Sequence, residues 1–174
     1  SKPQPYKHNG RPGAPYKEVF TGWAYPPNDY NKRRELIYKW AKHCVERYGK
    51  KEVESWWWEV WNEPNIGYWQ GTVEEYCKMY DYAADGLLKA LPTAKIGGCN
   101  ITGGGSKFLS AFINHCLSET NYATGKTGSP LDMVLFHAKG QPRFADGRVI
   151  MNVGTQIRNI RDALITVNSF PSIK

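Results

Sequence analysis

Apolar residues recur at spacings of three and four positions in four stretches of the chain, the pattern of amphipathic helices that bury one face. In the second stretch Thr72-Val73-Glu74-Glu75 precedes the apolar run. A Thr followed three residues later by Glu is the capping box that starts a helix. In the first stretch the apolar face holds Leu36, Ile37, Trp40, Ala41, Cys44, Val45 and Tyr48. We predict helices near residues 31–48, 73–91, 107–117 and 152–168.

Short apolar and β-branched stretches separate the predicted helices and are typical of strands. The clearest is 131–136, a nearly continuous apolar run of the kind that is buried on both faces of a parallel sheet. We predict strands near residues 53–61, 95–99 and 131–137. Residues 1–18 are rich in proline and are predicted to be loop-like, with a short strand end near residues 19–23.

The predicted order alternates helices and strands with short connections, which indicates a parallel sheet covered by helices. An open doubly wound sheet and a (β/α)8 barrel share this local pattern, so periodicity alone leaves both open. A complete barrel needs about 250 residues, whereas this chain has 174. If the fold is a barrel, residues 1–174 form one incomplete domain that holds roughly half of it.

Composition changes this picture only slightly. With 7 Trp and 11 Tyr the chain is rich in aromatic residues, which stack on the apolar faces of sugars but also fill ordinary cores. A net charge of +7 favours polyanion binding at first sight. The basic residues, however, are scattered over polar helix faces without a long basic block, so we predict no nucleic-acid partner.

The remaining motifs argue against several classes of site. The four cysteines form no Cys-x-x-Cys pair, so neither a zinc site nor a disulfide framework is indicated, and we predict no metal and no cofactor. No signal peptide or membrane-spanning apolar run is present, and no membrane partner is predicted. Asn100-Ile101-Thr102 is interpreted as a chance glycosylation sequon. Gly103-Gly104-Gly105 lacks the spacing of a phosphate-binding loop and is predicted to be a flexible strand-to-helix loop.

The segment Trp56-Trp57-Trp58-Glu59-Val60-Trp61-Asn62-Glu63-Pro64-Asn65 carries the candidate chemistry. Pro64 cannot donate to a strand ladder and drives Glu63 toward an extended conformation, so we expect Asn62 and Glu63 at the carboxyl end of a strand. Beside several tryptophans, the pKa of Glu63 is expected to be raised, as suits a general acid. The alternative is an ordinary strand-ending turn. Glu59 should point to the same side as Glu63 and, if it faces inward, should be buried and paired with a cation.

The longer string Trp58-Glu59-Val60-Trp61-Asn62-Glu63-Pro64-Asn65 resembles the strand-four acid/base motif of glycoside hydrolase family 39, the β-xylosidase and α-L-iduronidase family. Other segments resemble that family as well: His43-Cys44-Val45-Glu46-Arg47-Tyr48-Gly49, Tyr68-Trp69-Gln70-Gly71-Thr72, Ile96-Gly97-Gly98 and Phe136-His137-Ala138-Lys139-Gly140. The resemblance covers nearly all of residues 16–174. It implies a partial (β/α)8 TIM barrel that runs from about strand three or four to strand six, with the accompanying helices.

The same resemblance implies a function. It indicates a retaining glycosidase, most similar to a β-xylosidase, that hydrolyses terminal sugars of plant polysaccharide oligomers. Glu63 would be the catalytic acid/base, and Asn62, His137, Lys139 and Trp69 would bind the substrate. For His137 a role in capping the top of the barrel is the alternative, and for Trp69 the alternative is packing.

Retaining hydrolysis needs two carboxylates about 5–5.5 Å apart, and the family's nucleophile lies at the end of strand seven. The chain ends at Ser172-Ile173-Lys174, before that strand, so we expect it to lack the nucleophile and to be inactive alone. A non-catalytic carbohydrate-binding or pseudo-enzyme module is the alternative, and polyanion binding rests on charge alone. The expected partners are a glycoside or oligosaccharide substrate and, for the open edges of an incomplete barrel, a second copy or the missing barrel segments.

Overall fold

The computed structural model describes residues 24–140 and 142–172, together with the backbone of two short strands near the amino terminus. These strands, β1 (Pro5–Tyr6) and β2 (Val19–Phe20), pair in antiparallel fashion. Apart from them, the predicted loop-like segment 1–18 lies outside the described residues, and so does most of the predicted strand end at 19–23.

The helices agree closely with the periodicity of the sequence. Their bounds are α1 (Tyr30–Tyr48), α2 (Lys50–Val53), α3 (Val73–Ala90), α4 (Ser106–Ser118) and α5 (Val153–Asn168). The four longer helices confirm the prediction, and the capping box at the start of α3 forms in both directions between Thr72 and Glu75. The one-turn helix α2 was not predicted. None of the helices in the described part of the chain is long and apolar enough to cross a membrane.

Three strands form the central sheet: β3 (Trp57–Glu59), β4 (Lys95–Ile101) and β5 (Met133–Phe136). They pair in the order β3-β4-β5, and both pairings are parallel. The predicted α/β alternation and parallel sheet are thus confirmed. The first strand is shorter than predicted, because Val53 ends α2 and only residues 57–59 pair with β4.

After the sheet the chain forms a hairpin that was not predicted. Strands β6 (Arg143–Ala145) and β7 (Arg148–Ile150) pair in antiparallel fashion around Asp146 and Gly147. These two residues have φ of 52° and 72°, as a tight hairpin turn with left-handed central residues requires. An Asp-Gly pair between two short segments that contain apolar residues is a usual signal for such a turn, so the hairpin was readable from the sequence.

The core lies between the sheet and helices α3 and α4. Tyr76, Tyr80, Leu87 and Phe112 are almost completely buried there. The rings of Tyr76 and Tyr80 each meet the ring of Phe112 edge to face. Strand β5 approaches β4 closely because Gly97 has no side chain. A Cβ at Gly97 would lie 2.1 Å from the Met133 carbonyl oxygen.

Two of the predicted apolar helix faces are only partly covered. On α1, Ala41 and Cys44 are buried, whereas Leu36 and Trp40 remain 58% and 53% exposed. On the last helix and the hairpin before it, large apolar side chains are exposed as well: Phe144, Val149, Met151, Val153, Ile157, Ile160, Leu164 and Ile165. Contiguous apolar surface of this kind usually marks a contact with other protein.

A buried charge network joins α3, α4 and the loop that follows α4. His115 Nε2 lies 3.0 Å from both carboxylate oxygens of Asp81, and its Nδ1 lies 3.2 Å from Glu119 Oε2. Asp81 also accepts hydrogen bonds from Ser129 Oγ at 2.5 Å and from the Tyr122 amide at 2.7 Å. Burial lowers the pKa of His115, but the hydrogen bonds and charges of Asp81 and Glu119 outweigh burial and raise it. The imidazolium therefore ties the loop to both helices.

The first prediction concerns the stability that His115 provides. Replacing His115 by Gln should lower the free energy of unfolding by about 2 kcal/mol near pH 6, since hydrogen bonds to charged groups contribute about 1.5–3 kcal/mol. The pKa of His115 is raised in the folded state, so its contribution is complete below the unfolded value of about 6.5 and declines as the pH rises through the folded pKa. Urea unfolding at several pH values measures the difference between wild type and variant, which should shrink as the pH rises through the folded pKa.

The matched control is His43→Gln, because His43 is an exposed histidine on α1. This variant should unfold like the wild type at every pH. A stability loss in His115→Gln that stays constant across the pH range would contradict an ion-paired His115.

Candidate active site

Glu63, His137 and Lys139 come together at the carboxyl ends of the parallel strands. The Glu63 carboxylate accepts a 2.8 Å hydrogen bond from His137 Nδ1 and contacts the Lys139 ammonium through the same oxygen. Glu63 follows β3, whereas His137 directly follows β5. Carboxyl ends of parallel strands are where barrel enzymes carry their catalytic groups, and these three side chains lie at the corresponding end of this sheet.

Strand β4 sets the spacing of this site. The Asn100 carbonyl accepts a 3.0 Å hydrogen bond from the Glu63 amide on one edge, and the neighbouring Ile101 carbonyl accepts a 2.7 Å bond from the His137 amide on the other. Glu63 and His137 are therefore two strand spacings apart, roughly 10 Å between their backbones. Their side chains bridge that distance above β4.

The backbone at Glu63 differs from the prediction. Glu63 has φ of 49° and Trp61 has φ of 73°, so both occupy the left-handed region instead of an extended conformation. Left-handed φ is uncommon for residues other than glycine and costs about 1–2 kcal/mol per residue. Pro64 disfavours the right-handed helical conformation at Glu63, but it does not select between the extended and left-handed alternatives. In the left-handed conformation the Glu63 amide donates to the Asn100 backbone carbonyl, and the Asn100 side-chain amide donates to the Trp61 carbonyl.

The electrostatics of Glu63 also correct the prediction. Glu63 is only 2% exposed, and burial alone would raise the pKa of its carboxyl group as expected from the sequence. The hydrogen bonds from His137 and Lys139, with their charges, outweigh burial and hold the pKa of Glu63 below its ordinary value. The raised pKa was expected from the tryptophans around Glu63, whereas the basic groups that follow β5 decide the direction of the shift.

Two other predicted site residues lie nearby in different settings. Asn62 is exposed at the carboxyl end of β3, where its amide is accessible to a ligand. Trp69 is buried at 5% exposure, packs edge-on against Trp61 and Tyr76, and donates to the Thr72 carbonyl at 2.8 Å. Its position corresponds to the packing alternative, because a buried ring offers no open face to a sugar.

Glu59 does not behave as the sequence suggested. It was expected to be buried and paired with a cation if it faced inward, but it is exposed. Among the ion pairs of residues 24–140 and 142–172 it has none. Strand β3 is an edge strand of the described sheet.

A small cleft with a volume of about 10 Å³ adjoins His137 between the glycine-rich loop and α5. The loop that carries Gly103 and Gly105 forms the strand-to-helix connection that was predicted. A Cβ at Gly103 would lie 3.0 Å from Asn159 Oδ1, and Asn159 Nδ2 donates to the Lys139 carbonyl at 3.0 Å. Asn159 was not singled out by the sequence, since one amide on a polar helix face carries no signal. A volume of this size corresponds to about one water molecule, far below the roughly 300–1,000 Å³ of typical ligand pockets.

The described residues contain no cluster of three or more His, Cys, Asp or Glu side chains that could hold a metal ion. Among the described groups that contact Glu63, both charged partners are basic. The site as described is thus one buried carboxylate held between an imidazole and an ammonium group. Such a carboxylate can exchange a proton with a bound ligand or accept hydrogen bonds from hydroxyl groups.

Known proteins share both the sequence and the architecture. The sequence profile of the family "Glycosyl hydrolases family 39" matches residues 10–166. A β-xylosidase of Geobacillus stearothermophilus is 37% identical over 115 residues, which cover 65% of this chain and 21% of that protein. An α-L-iduronidase of Mus musculus is 32% identical over 113 residues, covering 62% and 18%. The structure matches that of a monomeric β-xylosidase from Caulobacter crescentus CB15 with a TM-score of 0.66 at 25% identity, covering 88% of this chain and 30% of that one.

A parallel sheet flanked by helices, with a buried glutamate at the carboxyl end of one strand, is an architecture of α/β glycosidases. The profile match spans most of the chain, and the chain belongs to glycoside hydrolase family 39. It spans about a fifth of the length of the two relatives, 21% and 18%.

The second prediction tests the charge balance at Glu63. Lys139→Met should raise the pKa of Glu63 toward the ordinary glutamate value, because the ammonium group that stabilises the ionised carboxylate is removed. Titration of the ¹³C-labelled carboxyl group by NMR measures this change, with the Glu63 signal assigned from Glu63→Gln.

Lys126→Met is the control for this titration. It removes the same charge from the exposed loop after α4, and it should leave the Glu63 titration unchanged. Equal pKa changes in both variants would mean that Lys139 acts only through the net charge of the chain.

Proposed function

We propose that this chain is the central part of a retaining β-glycosidase in which Glu63 is the acid/base. The observation that carries the proposal is the placement of the buried Glu63 carboxylate at a strand end, in contact with His137 and Lys139. Membership of family 39 supports a glycosidase-type enzyme. The partial (β/α)8 barrel, about half of one, belongs to the same proposal.

In this mechanism Glu63 protonates the glycosidic oxygen while a second carboxylate attacks the anomeric carbon. The bond to the leaving group breaks and a covalent glycosyl-enzyme forms. Glu63, now ionised, then takes a proton from the water that hydrolyses the intermediate. His137 and Lys139 hold the carboxylate in place, and the exposed Asn62 amide is positioned to contact a sugar hydroxyl.

The second carboxylate is proposed to lie outside this chain. Of the acidic residues that follow His137, Asp146 occupies the turn of the β6–β7 hairpin and Asp162 lies on α5, and neither ends a strand of the central sheet. A carboxylate about 5–5.5 Å from Glu63 would also raise the pKa of Glu63, because two adjacent negative charges disfavour ionisation of both.

The proposed substrate is a terminal β-xyloside of a plant polysaccharide oligomer. Identity to the β-xylosidase of G. stearothermophilus is 37%, against 32% for the murine α-L-iduronidase, which favours the xyloside. The two substrate classes are therefore compared directly in the experiment below.

A non-catalytic carbohydrate-binding module is the second candidate. It is favoured by one observation: Glu63 already contacts two basic groups and its pKa is lowered, whereas a general acid must be protonated at the working pH. In that case Glu63 would accept hydrogen bonds from sugar hydroxyls without exchanging a proton. Glu63→Gln would then weaken sugar binding without any effect on hydrolysis.

The third prediction uses a chimera that supplies the missing carboxylate. Residues 24–172 replace the matching segment of the G. stearothermophilus β-xylosidase, and the chimera is assayed with nitrophenyl β-xyloside, xylobiose and an aryl α-L-iduronide. Turnover is expected, and Glu63→Gln should lower it by about 10²–10⁴-fold. The loss should be larger for xylobiose, because its leaving group needs a proton whereas nitrophenolate leaves without one.

Two controls accompany the chimera. Glu59→Gln removes an exposed carboxylate four residues earlier on the same segment and should keep nearly full activity. The chain by itself should give no turnover. A folded chimera in which Glu63→Gln and Glu59→Gln are equally active would remove Glu63 from catalysis.

We also propose that the exposed apolar faces of α1 and α5 are covered by other protein, either further barrel segments or a second copy of the chain. About 25 cal/mol of stabilisation is lost for each Å² of apolar surface left in water, so several hundred Å² would remove roughly ten kcal/mol. A whole domain has about 5–15 kcal/mol.

The fourth prediction follows from this exposed surface. Light scattering of the 19.8 kDa chain should therefore give a mass above that of one copy, and Ile157→Lys together with Leu164→Lys on α5 should reduce association. A monomer that melts sharply at dilute concentration would contradict this proposal.

A further inference from the structure

The end of β4 is cross-linked to the chain around Glu63 by the side chain of Asn100. The side-chain amide Nδ2 donates to the Trp61 carbonyl at 3.1 Å, and the backbone carbonyl of Asn100 accepts from the Glu63 amide at 3.0 Å. Asn100 is 3% exposed, and its φ is 51°. Asparagine tolerates the left-handed conformation better than most residues, which suits it to this position.

A second asparagine, Asn65, connects the same two segments through Thr102, two residues after Asn100. Asn65 Oδ1 accepts a 2.9 Å hydrogen bond from the Thr102 amide, and Asn65 Nδ2 donates to the Thr102 carbonyl at 3.2 Å. The side chain thus pairs with Thr102 as a neighbouring strand would. A Cβ at Gly105 would lie 2.9 Å from Asn65 Nδ2, so the glycine-rich loop leaves room for this contact.

We propose that Asn100 and Asn65 are positioning residues for Glu63, holding residues 61–65 in the conformation that directs the carboxylate at His137 and Lys139. The role in catalysis rests on the proposed function, but the positioning itself does not. Trp61 and Glu63 both adopt left-handed φ, which isolated residues of these types avoid. The asparagine contacts lie before and after Glu63, on Trp61 and on Asn65, so they constrain the bend on both sides.

Release of this bend has a definite consequence for the site. An extended Glu63 would direct its side chain to another face of the strand, since side chains alternate along an extended chain. The carboxylate would then lose His137 and Lys139, the two groups that lower its pKa. The ionisation of Glu63 therefore reports whether the bend is in place.

The same geometry settles the sequon Asn100-Ile101-Thr102, which was interpreted as a chance match. The Asn100 amide nitrogen is buried and donates to a backbone carbonyl. A glycan on that nitrogen would require the end of β4 to separate from the segment that carries Trp61. The Asn100 side chain is therefore part of the buried hydrogen-bond network.

The fifth prediction is tested with Asn100→Gly in the full chain. Glycine keeps the left-handed conformation and the backbone bond to the Glu63 amide, but it removes the amide that holds Trp61. The pKa of Glu63, measured by NMR of its ¹³C-labelled carboxyl group, should rise toward the ordinary glutamate value. Asn65→Ala should act in the same direction, and it provides the measurement if Asn100→Gly does not fold.

Asn121→Ala is the matched control. Asn121 is also a buried asparagine at 3% exposure, and its amide bonds Ser129 and the loop after α4. It should lower the melting temperature by about 2–4 °C for each kcal/mol lost, as the other two variants do, without changing the Glu63 titration. An unchanged Glu63 pKa in Asn100→Gly and Asn65→Ala, or an equal rise in all three variants, would overturn the proposal. Loss of hydrolysis is measured separately in the chimera, so the two proposals fail independently.

Discussion

Strand β4 is the element on which the candidate site depends. It pairs with β3 on one edge and with β5 on the other, and its last residues continue to bond both neighbours after those strands have ended. The adjacent carbonyls of Asn100 and Ile101 accept from the amides of Glu63 and His137. Because these bonds are made by consecutive residues of one rigid strand, the distance between the two functional side chains is fixed by backbone geometry.

The close packing of β4 makes this arrangement possible. Gly97 lets β5 approach until a Cβ would be only 2.1 Å from the Met133 carbonyl oxygen. On the face of β4 that is turned toward the helices, the buried rings of Tyr76 and Phe112 fill the space between the sheet and the helices. Tyr76 also donates to the Val60 carbonyl at 2.8 Å, which connects the core directly to the strand that leads to Glu63. The stability of the core and the precision of the site are therefore physically linked.

Two opposing influences act on the Glu63 carboxylate. Burial disfavours its charged form, whereas His137 and Lys139 stabilise that form more strongly. Because these influences oppose each other, the pKa of the Glu63 carboxyl group is sensitive to any charge added nearby. A second carboxylate at the distance that retaining hydrolysis requires would shift this balance toward the acid. Elsewhere in the chain His115 shows the reverse case, since two carboxylates raise its pKa despite burial.

The sequence by itself determined the four long helices, the parallel sheet and the position of Glu63 at a strand end, because each depends on local periodicity, capping and the Asn-Glu-Pro ending. The resemblance to family 39 also identified His137 and Lys139, although 74 and 76 positions separate them from Glu63. The left-handed bend at Glu63 and the direction of its pKa shift were decided only by the tertiary structure. The bend depends on a group of β4, and the pKa shift depends on groups that follow β5. A local sequence pattern does not predict which distant amide or ammonium group will contact a given carboxylate. Asn100 and Asn159 were missed for the same reason, since an asparagine acquires its role from the backbone groups that folding brings to it.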